Sequence, residues 1–342
     1  MPRHPVQHRH PYRQEAAAVN SIGLIIPQRA ALFGVAGLPE LLRLAPLAED
    51  SGFFDTVWIG DSLTSKARAD SIACLGALAG MTSTLRLAVG CMASFPVRDP
   101  AQFAYQWASL DDISGGRMLL AVCNGLQKRG GASEIEGAHF GGVPDKERAA
   151  RLEEYLDLIR QLWTGEPVTF HGRFAHYDDI TVQPVPAQQP CPVWISANPP
   201  TGPAAERVFR RVATKSDGLL TVRIRPGYIA AARGQLGEQL AAAGRDAGTF
   251  PVAAYHSINI GPDREACLDE AQRFFDQYYG EGMFDRDSAA AMTAAGSPEQ
   301  CAQQLRAVMD EGATHLALRM ASWNQREQLE LVIGKVLPAL SG

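Results

Sequence analysis

The sequence predicts an α/β fold, a closed (β/α)8 TIM barrel, and three observations point to it. From Ser21 onward, short runs rich in Val, Ile and Leu alternate with longer segments of helical period, the signature of repeated βα units. The run LRLAVGCMA (Leu85 to Ala93) is apolar almost throughout, as a parallel strand buried on both faces must be. No Gly-x-Gly-x-x-Gly follows the first run, which weakens the open, doubly wound sheet that would give a similar alternation.

The units follow in order. SIGLIIP (Ser21 to Pro27) is the first strand, and Leu38 to Asp50 is a helix with Leu41, Leu44, Leu47 and Ala48 on one face, stopped at Gly52. DTVWIGD (Asp55 to Asp61) is the second strand, before a helix carrying Ile72, Leu75, Leu78 and Ala79. Leu85 to Ala93 is the third. Pro100 then opens a helix to about Ile113, and the turn at Ser114, Gly115 and Gly116 delivers the fourth strand, RMLLAVCN (Arg117 to Asn124). Gly125 to Asp145 is glycine-rich and aperiodic, and reads as a loop insertion. Helix returns at Asp145 with Leu152, Tyr155, Leu156, Ile159, Leu162 and Trp163 on its apolar face, and Val168 to Pro184 reads as a hairpin around His171 and Gly172. The remaining strands are PVWISA (Pro192 to Ala197), DGLLTV (Asp217 to Val222), VAAYHSINI (Val252 to Ile260) and THLALRM (Thr314 to Met320), each followed by helix, with Gly280 to Gly296 irregular. Residues 21–342 are thus expected to form one barrel domain with insertions at about 125–145, 165–190 and 280–296, behind a disordered extension over residues 1–20. His4, His8 and His10 in that extension read as incidental rather than as metal ligands.

Composition narrows the function classes. A net charge of −5 opposes the cationic surface that nucleic acid would require. No apolar stretch is long enough to cross a bilayer, and the N-terminal residues lack the apolar core of a secretory signal, so a cytoplasmic protein with no membrane partner is expected. The six cysteines show neither a disulfide framework nor zinc spacing, and no metal site is indicated. The absence of a Gly-x-Ser-x-Gly elbow, a P-loop and a His-Glu-x-x-His motif argues against the common hydrolase and nucleotidase chemistries. A bound cofactor is then the expected carrier of the chemistry.

Five segments taken in order carry a family resemblance: FDTVWIGDSL (Phe54 to Leu63), LRLAVGC with VRDPAQFA (Leu85 to Ala104), LDDISGGRMLLAVCNG (Leu110 to Gly125), ERAARLEEYLDLIRQLWTGEPVTFHGRF (Glu147 to Phe174) with PVPAQQPCPVWISAN, and SPEQCAQQLRAVMDEGATHLALRM near the C-terminus. Together they resemble the bacterial luciferase-like flavin-dependent monooxygenase and F420-dependent oxidoreductase superfamily. The resemblance implies reduced FMN, or the deazaflavin F420 in one large branch, held at the C-terminal mouth of the barrel, and a homodimer built on early helices between Leu38 and Met81.

It also implies roles for individual residues. A non-proline cis peptide against the ring is expected at Gly90-Cys91 or one bond along, with Ser94 close by. Asn124 and Gly125 are expected to approach the ring or its side chain, the glycine permitting close backbone approach. The loop of Ser196, Asn198, Thr201 and Gly202 is expected to hold the cofactor phosphate at a helix start, although Pro199 and Pro200 there contribute no N–H. Asp61 and Ser62 end the second strand and are the expected catalytic pair, with Asp61 equally readable as a helix cap; Ser62 stands where the family often has a histidine. Arg98 reads as a phosphate clamp or a solvated charge. His256 and Arg319 lie near the ends of the last two strands, and Arg319 is the stronger candidate because a buried guanidinium needs an anionic partner.

The leading expectation is a two-component monooxygenase that takes reduced FMN from a separate flavin reductase and transfers one oxygen atom from dioxygen to a small-molecule substrate. The alternatives are an F420-dependent dehydrogenase or reductase, which moves hydride without dioxygen, and a non-catalytic flavin-binding barrel.

Overall fold

All eight expected strands form, and each is hydrogen-bonded in parallel to the next: β1 (Ser21–Ile26), β2 (Thr56–Ile59), β3 (Arg86–Met92), β4 (Met118–Val122), β5 (Val193–Ser196), β6 (Leu219–Thr221), β7 (Val252–Ile260) and β8 (His315–Met320). The pairing of β8 with β1, which sets Ser21 opposite His315, closes the ring. The computed structural model describes residues 21–125, 131–222 and 225–341, so the N-terminal extension and its three histidines lie outside the described residues.

Two apolar clusters fill the fold because successive strand residues face opposite sides. Ile25, Trp58, Ala88, Leu119, Ala121, Trp194, Leu220, Ala253, Tyr255 and Ala317 fill the barrel interior. The larger cluster lies between the strands and the helices and takes their alternate residues, such as Leu24, Val57, Leu87, Leu120, Val193 and Leu318. Glycine makes room for the interior indoles: a Cβ on Gly23 would sit 2.3 Å from Trp58 Nε1, and one on Gly218 would sit 2.5 Å from the Trp194 ring.

Three departures from the sequence reading have local causes. The helix expected over Leu38 to Asp50 divides into Leu38–Leu42 and Leu44–Asp50, because Pro46 has no N–H to return to the Leu42 carbonyl. The aperiodic stretch after β4 contains a helix, Ala132–His139, in which Gly137 reads as a loop signal; it is glycine because a Cβ there would meet the Val143 carbonyl oxygen at 2.1 Å. The stretch from Gly280 to Gly296 holds a helix, Arg286–Ala291, and a ninth strand, Thr293–Gly296. That strand is legible only in three dimensions: β7 outruns β6, and Thr293–Gly296 pairs with its second half, Ser257 to Ile260. The hairpin forms as Val168–His171 against His176–Ile180.

Candidate active site at the C-terminal mouth of the barrel

The strand ends form a ring of small, partly open residues above a closed floor. Gly60, Cys91, Cys123, Ala197 and Val222 are partly exposed, whereas the residues one step deeper, Trp58, Ala88, Ala121, Trp194 and Leu220, are buried. The Trp58 and Trp194 rings lie 6.0 Å apart and plug the interior. Gly90-Cys91 is a cis non-proline peptide, at the first of the two bonds expected. Cys91 is the extra residue of a bulge, since Gly90 pairs with Ala121 and Met92 with Val122. Its sulfur lies between the thiol of Cys123 and the hydroxyl of Ser196; the hydrogen bond from Cys123 draws the Cys91 pKa down against burial and pushes that of Cys123 up. The sequence reading did not single out Cys123, although alternation along β4 aligns it with Leu119 and Ala121.

Asp61 and Ser62 are buried and fully engaged. Asp61 accepts from the Ser71 hydroxyl at 2.8 Å and the Ser94 N–H at 2.8 Å, and pairs with Arg98 at 3.4 Å. The cap of the helix Ser71–Met81 is Asp70 rather than Asp61. Arg98 is likewise neither a solvated charge nor a free clamp, because it lies between Asp61 and Asp70 and also donates to Ser94. Ser62 donates to Glu136 at 2.7 Å and accepts from the Lys66 N–H at 3.2 Å. Glu136 comes from the unforeseen helix Ala132–His139 and also accepts from the N–H groups of Leu63 and Thr64. This buried carboxylate therefore ties the loop after β2 to the inserted helix, and the side chains of Asp61 and Ser62 are held by the partners named here.

Asn124 and Gly125 end β4 at the mouth, as expected. Gly125 has φ 76°, and a Cβ would meet the Ser133 hydroxyl at 2.2 Å. The Asn124 carbonyl accepts from Arg148, an arginine with 0% exposure whose guanidinium also reaches the carbonyls of Ala93 and Ser133. Arg148 thus joins the ends of β3 and β4 to the inserted helix. Across the ring, Asn198 is exposed but its side-chain oxygen is occupied by the Thr221 hydroxyl and the Val222 N–H. Thr201 is exposed. The expectation of a free N–H at Gly202 is not met, since that group donates to Gln235 at 2.9 Å.

Alternation on the last two strands separates the remaining candidates. Arg319 lies two residues past the interior Ala317 and faces the mouth, with 0% exposure. Its guanidinium donates to the hydroxyls of Tyr279 (2.7 Å) and Ser257 (3.1 Å) and sits 4.9 Å from the Tyr278 ring centroid and 5.1 Å from that of Tyr279. No described carboxylate pairs with it, so the anionic partner expected from burial is not supplied by the described chain. His256 instead shares the outer face of β7 with Ala254 and Ile258, away from the mouth.

Burial lowers the His256 pKa from 6.5 to about 4, so the folded protein holds the ring neutral while the unfolded chain takes up a proton between those values. This contribution to stability is intact above pH 6.5 and is lost as pH falls toward 4. Urea midpoints measured across that range should fall more steeply in the wild type than in His256→Leu; parallel profiles would refute the assignment.

A flavin-type ring suits this mouth on the evidence of its own atoms. The floor is buried and aromatic, and the residues above it include glycine, cysteine and serine, a lining that would accept a flat ring; the space beside Gly125 is taken by Ser133 and Arg148. A separate hollow of about 500 Å³, lined by Glu270, Arg273, Asp276, Gln277, Glu281 and Trp323, includes none of these strand-end residues.

The family model for luciferase-like monooxygenases matches residues 21–315. An F420-dependent glucose-6-phosphate dehydrogenase from Nakamurella multipartita is 28% identical over 330 residues, covering 89% of this chain and 93% of that protein. A 5,10-methylenetetrahydromethanopterin reductase from Archaeoglobus fulgidus is 27% identical over 245 residues, covering 70% of this chain and 68% of that protein. Among solved structures, an F420-dependent secondary alcohol dehydrogenase bound to an F420-acetone adduct superimposes with a TM-score of 0.78 at 18% identity, covering 94% of this chain and 99% of the other, a likeness of fold.

Proposed function

We propose that this chain, which belongs to the luciferase-like monooxygenase family, is an oxidoreductase that binds the deazaflavin F420 across the barrel mouth and exchanges hydride with a small organic substrate without using dioxygen. The observation that carries this reading is the similarity, over 89% of this chain and 93% of the other, to an enzyme named for F420. This reading is preferred to the two-component FMN monooxygenase expected first, and it would need no separate flavin reductase. A homodimer remains part of the proposal.

Bound at the mouth, the deazaflavin would supply a two-electron hydride carrier. The chain's part is to place it. Trp58 and Trp194 close the barrel floor and would exclude water from below a bound ring, and Gly90, Cys91, Cys123 and Ser196 would line its face. Asn124 and Gly125 would flank one edge, and the loop from Ser196 to Gly202 would hold the phosphate-bearing tail. Ser62, which donates to Glu136 and accepts from the Lys66 N–H, would not take over the proton-accepting part of the histidine often found at its position.

The test is turnover. Under anaerobic conditions, protein loaded with F420 should reduce it in the presence of a substrate alcohol or reoxidise its reduced form with the matching carbonyl compound, at rates unchanged when air is admitted. Product formation that requires dioxygen and reduced FMN would sink the proposal.

A further inference from the structure

We propose that the substrate of this mouth carries an anionic group, a phosphate ester or a carboxylate, held by a four-cation site formed by Arg29, Lys66, Arg68 and Arg319. This deepens the reading of the mouth as a substrate site but does not depend on which cofactor occupies it.

The cations come from three neighbouring places in the ring. Arg29 lies in the 3-10 turn Gln28–Phe33 after β1, Lys66 and Arg68 lie in the loop after β2, and Arg319 ends β8. In strand order β8, β1 and β2 are adjacent, and the loop after β5 stands across the mouth from them. Two tyrosines gather the group. Lys66 Nζ is 5.2 Å from the Tyr279 centroid, the Arg68 guanidinium is 5.8 Å from that of Tyr278, and Arg319 packs on both rings. Arg29 donates to the Ala67 carbonyl at 2.7 Å, and Arg68 donates to that of Lys66 at 3.2 Å, so the two loops lock together.

None of the four is paired with a described carboxylate within 4 Å. Like charges concentrated in this way oppose one another, and a buried guanidinium without a counter-ion adds a desolvation cost. Burial and the neighbouring arginines push the Lys66 pKa down, as a cluster of unneutralised cations requires. A solvated surface would not explain the arrangement: Arg319 is fully buried, and its Nε, like that of Arg29, is buried without a hydrogen-bond partner. An oxyanion placed among them would supply the missing acceptor and the missing charge together. The position matters as well. If the cofactor's tail is held by the loop after β5, this site would lie on the other side of the mouth, where a substrate could enter while the cofactor stays bound.

Calorimetric titration of the full-length protein, with and without F420, with inorganic phosphate and with malonate as probes, tests the proposal. Saturable binding of at least one probe is expected in both forms, and it should weaken about tenfold in the double variant Lys66→Met/Arg68→Met, with smaller losses in Lys66→Gln and Arg68→Gln alone. Preference for phosphate assigns a phosphate ester, and preference for malonate a carboxylate. Equal affinity in the wild type and the double variant, no saturable binding of either probe, or binding that F420 abolishes would overturn it, the last because the anion would then occupy the cofactor's own site. Quenching of tryptophan fluorescence by F420 should be the same in the wild type and variants; if F420 does not bind at all, the cofactor assignment fails while the anion result stands on its own.

Discussion

Replacing Arg148 with methionine is expected to lower stability by about 3 kcal/mol and to weaken cofactor binding with it. The side chain is wholly buried and donates to the carbonyls of Asn124, Ser133 and Ala93. Methionine fills much of the same volume but supplies no donor to those carbonyls, which are at least partly buried. Two of them terminate β3 and β4, the strands that bring Cys91 and Cys123 to the mouth, so the structural loss and the functional loss share one cause. Urea denaturation and F420 titration of the same preparation check this. Full stability with weakened binding would show that Arg148 touches the ligand; full binding with lowered stability would show that the strand ends do not depend on it.

Arg319→Met should behave differently although the two arginines are equally buried. Here stability is expected to change by no more than about 1 kcal/mol, because the loss of cation–π contacts is offset by release from burying an uncompensated charge. Methionine keeps the stem, and its sulfur packs well against Tyr278 and Tyr279. Affinity for the anionic probe should nevertheless fall about thirtyfold, the equivalent of roughly 2 kcal/mol. A variant as destabilised as Arg148→Met, with anion binding intact, would mean that Arg319 serves only the packing of the helix Arg264–Tyr279.

The barrel was legible in the sequence because its cause is local. Each strand is a short apolar run and each helix an amphipathic stretch, and alternation along a strand even tells which side a residue faces once one interior residue is known. Arg319 follows Ala317 inward by that rule and His256 follows Ala254 outward. What was hidden depends on distant partners. The strand Thr293–Gly296 is a run of small residues that pairs because β7 is long. Glu136 lies in a glycine-rich, aperiodic stretch, and only the fold sets it 2.7 Å from Ser62. Asp61 was found by its place at a strand end, but its use as a tie between Ser71, Ser94 and Arg98 spans three separate segments. The gathering of Lys66 and Arg68 against Tyr279 and Tyr278, with Arg29 bonded to the same loop, likewise brings together residues more than two hundred positions apart in the chain. Family resemblance located the mouth and the cis peptide; it did not separate F420 from FMN, whose tricyclic rings make the same demands on a floor of glycine, cysteine and serine.

The most direct test of the central claim is an anaerobic equilibrium titration of the purified protein with F420 and, separately, with reduced FMN, followed through the emission of its tryptophans, two of which lie beneath the proposed ring. Saturable quenching by F420 at concentrations where reduced FMN has little effect is the predicted result. Preference for reduced FMN, or no quenching by either, would contradict it.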